Sequence, residues 1–234
     1  MKRTTFSFRQ FSVVQSEAVH KVGTDGVLLG AWADVQEARR ILDIGTGTGL
    51  IALMAAQRTN PECSITGIDA DEAATDLAEL NFSNSPWASR LKVETVRLQD
   101  FHDDRAYDHI LTNPPFFMNS LAPPDPKRKI QRHTDELTFE ELVNAVTGLL
   151  KADGRWSVIL PVTESKVLER LASTNGLLLH RETFVKPKIG ATSNRRLMEF
   201  RFTPAGTYES EIILMDNAGK RHPQYGELTR EFYV

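Results

Sequence analysis

Ile41-Leu42-Asp43-Ile44-Gly45-Thr46-Gly47-Thr48-Gly49-Leu50 reads as an apolar strand, a glycine-rich turn and the start of a helix. Glycine admits positive φ and lets a ligand approach the bare backbone, and a helix start leaves amides without partners. Outward from this stretch, apolar β-branched runs alternate with segments of helical periodicity. That alternation predicts a parallel sheet with crossover helices. Strands are expected at 40–44, 64–69, 91–98, 109–112, 155–160, 177–185 and 197–203, and helices at 50–58, 71–82, 138–150 and 163–174. Asp71 is expected to cap the second of these helices and Gly154 to stop the third. Ligands of such sheets sit at the carboxyl ends of the strands.

The chain has 234 residues, 41% of them hydrophobic, which suits one α/β domain spanning 1–234. Three segments lie outside the alternation: an N-terminal lead-in at 1–33, a stretch at 117–136 and a C-terminal extension at 204–234 with one further strand at 211–215. The 117–136 stretch is rich in Pro, Lys and Arg and is expected to be a mobile loop. A single cysteine, Cys63, excludes an internal disulfide and fits a reducing, cytoplasmic setting. No stretch is long enough to span a membrane, no metal-ligand spacing is present, and a monomer is expected. The net charge of −3 gives no global basic excess, so any nucleic-acid contact must come from local patches.

The loop spacing is Gly-x-Gly-x-Gly rather than the dinucleotide Gly-x-Gly-x-x-Gly, which seats a pyrophosphate on the helix start. S-adenosylmethionine has no phosphate and needs a tight turn with hydrogen-bond partners. Gly45, Gly47 and Gly49 supply the turn. Asp43 can hold the loop or meet the cofactor's ammonium, and Asp69, twenty residues after Gly49, can accept from ribose hydroxyls.

His109-Ile110-Leu111-Thr112-Asn113-Pro114-Pro115-Phe116 is the sharpest signal. An apolar strand ends in Asn, two prolines and an aromatic. The prolines stiffen the backbone and remove two donors, leaving carbonyls as acceptors beside the Asn113 carboxamide. Together they can accept both hydrogens of an exocyclic NH₂ while Phe116 stacks on the attached ring. Such a nitrogen is a poor nucleophile because its lone pair is delocalised. Two acceptors on its hydrogens free the pair, and the remaining task is positioning. Read singly, either motif is an ordinary turn; found together on the first and fourth strands, they point to one chemistry.

With these residues the chain resembles the bacterial tRNA(Val) adenine-37 N6-methyltransferases. The likeness runs through 21–32 (Lys21-Val22-Gly23-Thr24-Asp25-Gly26 and on to Trp32), 42–50, Asn113-Pro114-Pro115-Phe116, Ser85-Pro86-Trp87 and the tail Leu228-Thr229-Arg230-Glu231-Phe232-Tyr233. The resemblance implies a Rossmann-like, seven-stranded sheet, mostly parallel with the last strand antiparallel and helices on both faces. It implies S-adenosylmethionine as methyl donor and an adenine in a valine tRNA as target. By position, Asp43, Gly45, Gly47, Gly49 and Asp69 would bind cofactor, and Asn113, Pro114, Pro115 and Phe116 would form the catalytic corner. Where relatives often carry an Asp after the third strand this chain has Arg97, so Asp100 is the candidate for the cofactor's adenine.

Basic residues predict where RNA lies: Lys127, Arg128, Lys129 and Arg132 in the loop after the corner, and Lys186, Lys188, Arg195 and Arg196 further on. Such runs more often face only water. Two alternatives remain: a protein glutamine N5-methyltransferase, which uses the same corner on another planar amide but resembles proteins with a longer N-terminal helical domain, and a non-catalytic RNA-binding module.

Overall fold

The computed structural model describes residues 3–17, 19, 21–114, 137–203 and 206–233. Eight strands form the main sheet in the order β10-β8-β9-β7-β6-β3-β4-β5: β3 (Arg40–Ile44), β4 (Ser64–Asp69), β5 (Leu91–Thr95), β6 (Tyr107–Thr112), β7 (Leu150–Pro161), β8 (Leu178–Lys188), β9 (Arg195–Arg201) and β10 (Tyr208–Met215). β9 is antiparallel to both β7 and β8; every other pairing in this sheet is parallel. The seven expected strands are present, and the strand foreseen at 211–215 joins them as an eighth, at the edge beside β8.

Helices cover both faces: α1 (Thr24–Trp32), α2 (Leu50–Arg58), α3 (Glu72–Ser83), α4 (Phe139–Leu149), α5 (Val162–Thr174) and the short α6 (Pro223–Leu228). Successive strand residues point to opposite faces. Ile41, Ile65, Leu111 and Ile159 therefore join the core under α1 and α2. Leu42, Ile110, Val158 and Leu160 join the core under α4 and α5. Central strands buried on both faces read as continuous apolar runs, which is why 156–160 of β7 is buried throughout.

Two local readings change, and the lead-in gains elements. The strand expected to reach residue 98 ends at Thr95, and Leu98–Asp100 is a 3₁₀ turn. Gly154 does not stop a helix. It lies inside β7, where the register skips from Leu150 opposite Tyr107 to Arg155 opposite His109, and a Cβ there would sit 2.8 Å from the Leu150 side chain. α4 closes instead at Leu150, which is extended, and opens on a Thr138–Glu141 capping box. The lead-in is structured: β1 (Arg3–Ser7) and β2 (Ser12–Ser16) form an antiparallel hairpin, and α1 follows. Asp71 caps α3 as expected, accepting from the Ala73 amide at 2.9 Å.

Candidate active site at the carboxyl rim

Register brings the two motifs together. Ile44 of β3 pairs with Thr112 of β6 on one side and Ile68 of β4 on the other. Gly45, Asn113 and Asp69 thus stand one residue beyond a single row, on adjacent strands about 5 Å apart.

The glycine loop is held from below by acids. Asp43 is fully buried at the tip of β3; its Oδ2 accepts from the Thr46 hydroxyl at 2.7 Å and the Ala52 amide at 3.2 Å. Burial raises the Asp43 pKa to about 7 against those two hydrogen bonds, with Asp69 adding a like-charge push. Its Oδ1 is buried without a partner among the described residues. Asp69 spends both oxygens on backbone: Oδ2 accepts from Gly47 at 2.9 Å and Oδ1 from Asp71 at 3.0 Å. A carboxylate has further lone pairs to offer a ligand. Gly49, at φ 80°, is the N-cap of α2, and a Cβ there would lie 2.4 Å from the Phe82 ring. Gly47, at φ 57°, has open space where its Cβ would project. An unpartnered buried carboxylate oxygen under an open glycine cradle fits the amino-acid end of S-adenosylmethionine.

At the tip of β6 Asn113 is half-buried and Pro114 buried. The Asn113 carboxamide makes no hydrogen bond among the described residues, so it can serve a substrate. Pro115, Phe116, Lys127, Arg128, Lys129 and Arg132 lie outside the described residues, as does the loop expected at 117–136. His109, four residues back on β6, is buried with Nε2 2.9 Å from Ser157 Oγ; burial lowers its pKa to about 4, so it stays neutral and is no solvent-facing base.

The sequence reading missed several residues that build this rim. α1 closes one wall: a Cβ on Gly26 would sit 3.1 Å from the Leu50 side chain and 4.0 Å from Asn113 Nδ2. The first turn of α1 is tied to the far strands by Asp25, which accepts from Arg195 Nε at 2.8 Å. Asn81 of α3 links the hairpin to the loop, accepting from the Val14 amide and donating to the Val14 and Thr48 carbonyls. A lone Asn on the apolar face of α3, between Ala78 and Phe82, is the signal that could have found it.

The basic residues of β8 and β9 divide sharply. Arg196 is buried and holds Glu182 at 2.5 Å and Glu169 at 2.6 Å. Its assignment to RNA is corrected: two carboxylates neutralise it inside the protein. Arg195 is engaged by Asp25, and Lys186 lies 2.6 Å from Glu211. Lys188 is exposed and makes no ion pair among the described residues. Asp100 is exposed in the 3₁₀ turn after β5, its amide donating to the Arg97 carbonyl at 3.0 Å.

The sheet order, the antiparallel β9 and the loop at the end of β3 define an α/β methyltransferase. The methyltransferase small domain family model matches residues 8–171. A crystal structure of a predicted O-methyltransferase from Agrobacterium tumefaciens has a similar fold, with a TM-score of 0.69 at 17% identity, covering 89% of this chain and 96% of that one. Over its full length the chain is 42% identical to the tRNA1(Val) (adenine(37)-N6)-methyltransferase of Bacteroides thetaiotaomicron, covering 99% of that protein. It is 40% identical over 229 residues to the protein of the same name from Pseudoalteromonas translucida, covering 98% of each. The chain belongs to the tRNA1(Val) (adenine(37)-N6)-methyltransferase family. No helix among the described residues is long and apolar enough to cross a membrane.

Proposed function

We propose that this protein transfers a methyl group from S-adenosylmethionine to N6 of an adenine in tRNA, adenine 37 of a valine tRNA being the target its relatives' names give. The observation that carries the reading is the Asn113 carboxamide one strand from the Asp43 Oδ1, at the same end of the sheet, both without a hydrogen-bond partner among the described residues.

Asp43, Gly45, Gly47, Gly49 and Asp69 would hold the cofactor, with Asp100 at its adenine. When bound, it supplies an electrophilic sulfonium methyl. Asn113 Oδ1 and the Pro114 carbonyl accept the two amino hydrogens of the adenine and so pull its nitrogen towards a tetrahedral shape. Pro115 stiffens the corner, and Phe116 stacks on the base. The proton leaves after the new bond forms, so no strong base is required. RNA is held by Lys127, Arg128, Lys129 and Arg132. The whole chain acts as one catalytic domain and as a monomer.

The test is mass spectrometry of tRNA from a deletion strain. Loss of N6-methyladenosine from one anticodon loop, restored by the wild-type chain and not by Asn113→Ala, is the expected result. Unchanged tRNA would discard the substrate. Tight tRNA binding with no methyl transfer under any condition would favour the non-catalytic module.

A further inference from the structure

The far end of the rim carries a second surface. β8 and β10 run in the same direction as β6, so their carboxyl ends lie on the same edge of the sheet as Asn113. β10 is four places from β6 in the sheet, about 19 Å at ordinary strand spacing.

Lys188 ends β8 directly opposite Met215, which ends β10, and Met215 in turn bridges to Arg221. The Ile189 amide donates to the Met215 carbonyl at 3.2 Å. Ile189 and Met215 are 40% and 41% exposed, two of the few large apolar side chains left in solvent. Lys188, Lys220 and Arg221 surround them, all exposed. Arg221 is steadied over the Tyr233 ring at 4.3 Å. Asp216, in the adjoining turn, points its carboxylate back on its own loop, accepting from the Ala218 and Lys220 amides at 2.8 Å each. Lys188, Lys220 and Arg221 make no ion pair among the described residues, on a chain whose net charge is −3.

Elsewhere along β8 and β9 the fold cancels its cations: Arg195, Arg196 and Lys186 each meet an acid. Positive charge with no ion pair among the described residues, beside exposed apolar side chains, suits a polyanion with apolar ring faces. A single-stranded or looped RNA is that partner, and an acidic protein would make no use of the shared edge with Asn113.

We propose that Lys188, Ile189, Met215, Lys220 and Arg221 form a docking surface for tRNA outside the target nucleotide, resting on the reading of tRNA as substrate. The stem-loop lies along the rim, its target base at Asn113 and its backbone against this patch. Neither Lys220 nor Arg221 stands out in the sequence, because they follow a polar turn in the C-terminal extension.

The experiment is fluorescence anisotropy of labelled valine tRNA on the full-length Lys188→Gln/Lys220→Gln variant, across salt concentrations. It is paired with methylation rates and with Lys186→Gln as control. The double variant is expected to bind tRNA about tenfold more weakly at ~0.15 M salt and to lose about two from the slope of log affinity against log salt. Its maximal rate at saturating tRNA and its affinity for S-adenosylmethionine should match the wild type. Wild-type affinity and slope in the double variant, on a protein that does methylate tRNA, would overturn the docking surface and leave the activity standing. A wild-type protein that neither binds nor methylates tRNA would overturn both.

Discussion

The two halves of the carboxyl rim treat charge in opposite ways. Under the glycine loop a carboxylate is buried with one oxygen lacking a partner among the described residues and a pKa pushed up to about 7. Along β8 and β9 the buried charge is matched, Arg196 by two acids and Glu199 by Arg181 and Arg201. A matched pair holds the fold and leaves little for a ligand. An unmatched buried group costs stability and so marks where a ligand is to be met. On the proposed reading, the difference separates the half that meets the cofactor from the half whose buried charges hold the sheet together.

Substitutions in each half test this division. The largest effect is expected from Gly49→Ala. A methyl 2.4 Å from the Phe82 ring, at φ 80°, must displace α2 or α3. A loss of about 3 kcal/mol or more in denaturant unfolding is predicted, with S-adenosylmethionine binding abolished in calorimetry. Arg196→Met comes next. It strands Glu182 and Glu169, and about 3 kcal/mol of stability should go, while tRNA affinity per folded molecule stays unchanged. A fall in the salt slope of tRNA binding would show that Arg196 faces RNA after all.

Asp43→Asn should weaken S-adenosylmethionine binding about tenfold and change its pH dependence. The folded pKa of Asp43 stands above the unfolded value, so its stability contribution is full below about pH 4 and is lost as pH rises through about 7. A cationic ligand favours the ionised form, so wild-type affinity should climb with pH up to about 7 and then level. Thermal unfolding and calorimetry across that window should find both trends in the wild type and neither in Asp43→Asn. The smallest effect belongs to Lys186→Gln. Its partner Glu211 is largely in solvent, so less than about 1 kcal/mol should change, with tRNA binding unaltered.

What could be read in advance follows the same divide. The strand, loop and acid at 41–50 interact within ten residues, so their spacing carries their geometry. The end of β6 just before Asn113 was legible in the same way, while Pro115 and Phe116 lie outside the described residues. The sheet's central strands were legible because burial on both faces leaves continuous apolar runs. The charge pairing of the other half was not, since Arg195 meets Asp25 across 170 residues and Arg196 meets Glu169 across 27. A run of basic residues looks the same whether it faces phosphate or a buried acid. The hairpin at 3–16 was hidden for a related reason. β1 is exposed apart from half-buried Phe6, and the hairpin tip is tied to the other end of the chain, the Arg9 amide donating to the Phe232 carbonyl at 2.9 Å.

The most direct measurement is single-turnover methylation of purified valine tRNA by the wild type and Asn113→Ala, with S-adenosylmethionine affinity measured on the same preparations. Equal cofactor affinity is expected, with a rate at least a hundredfold lower in the variant, of the order lost with one transition-state hydrogen-bonding group. A variant that transfers methyl at the wild-type rate would contradict this expectation.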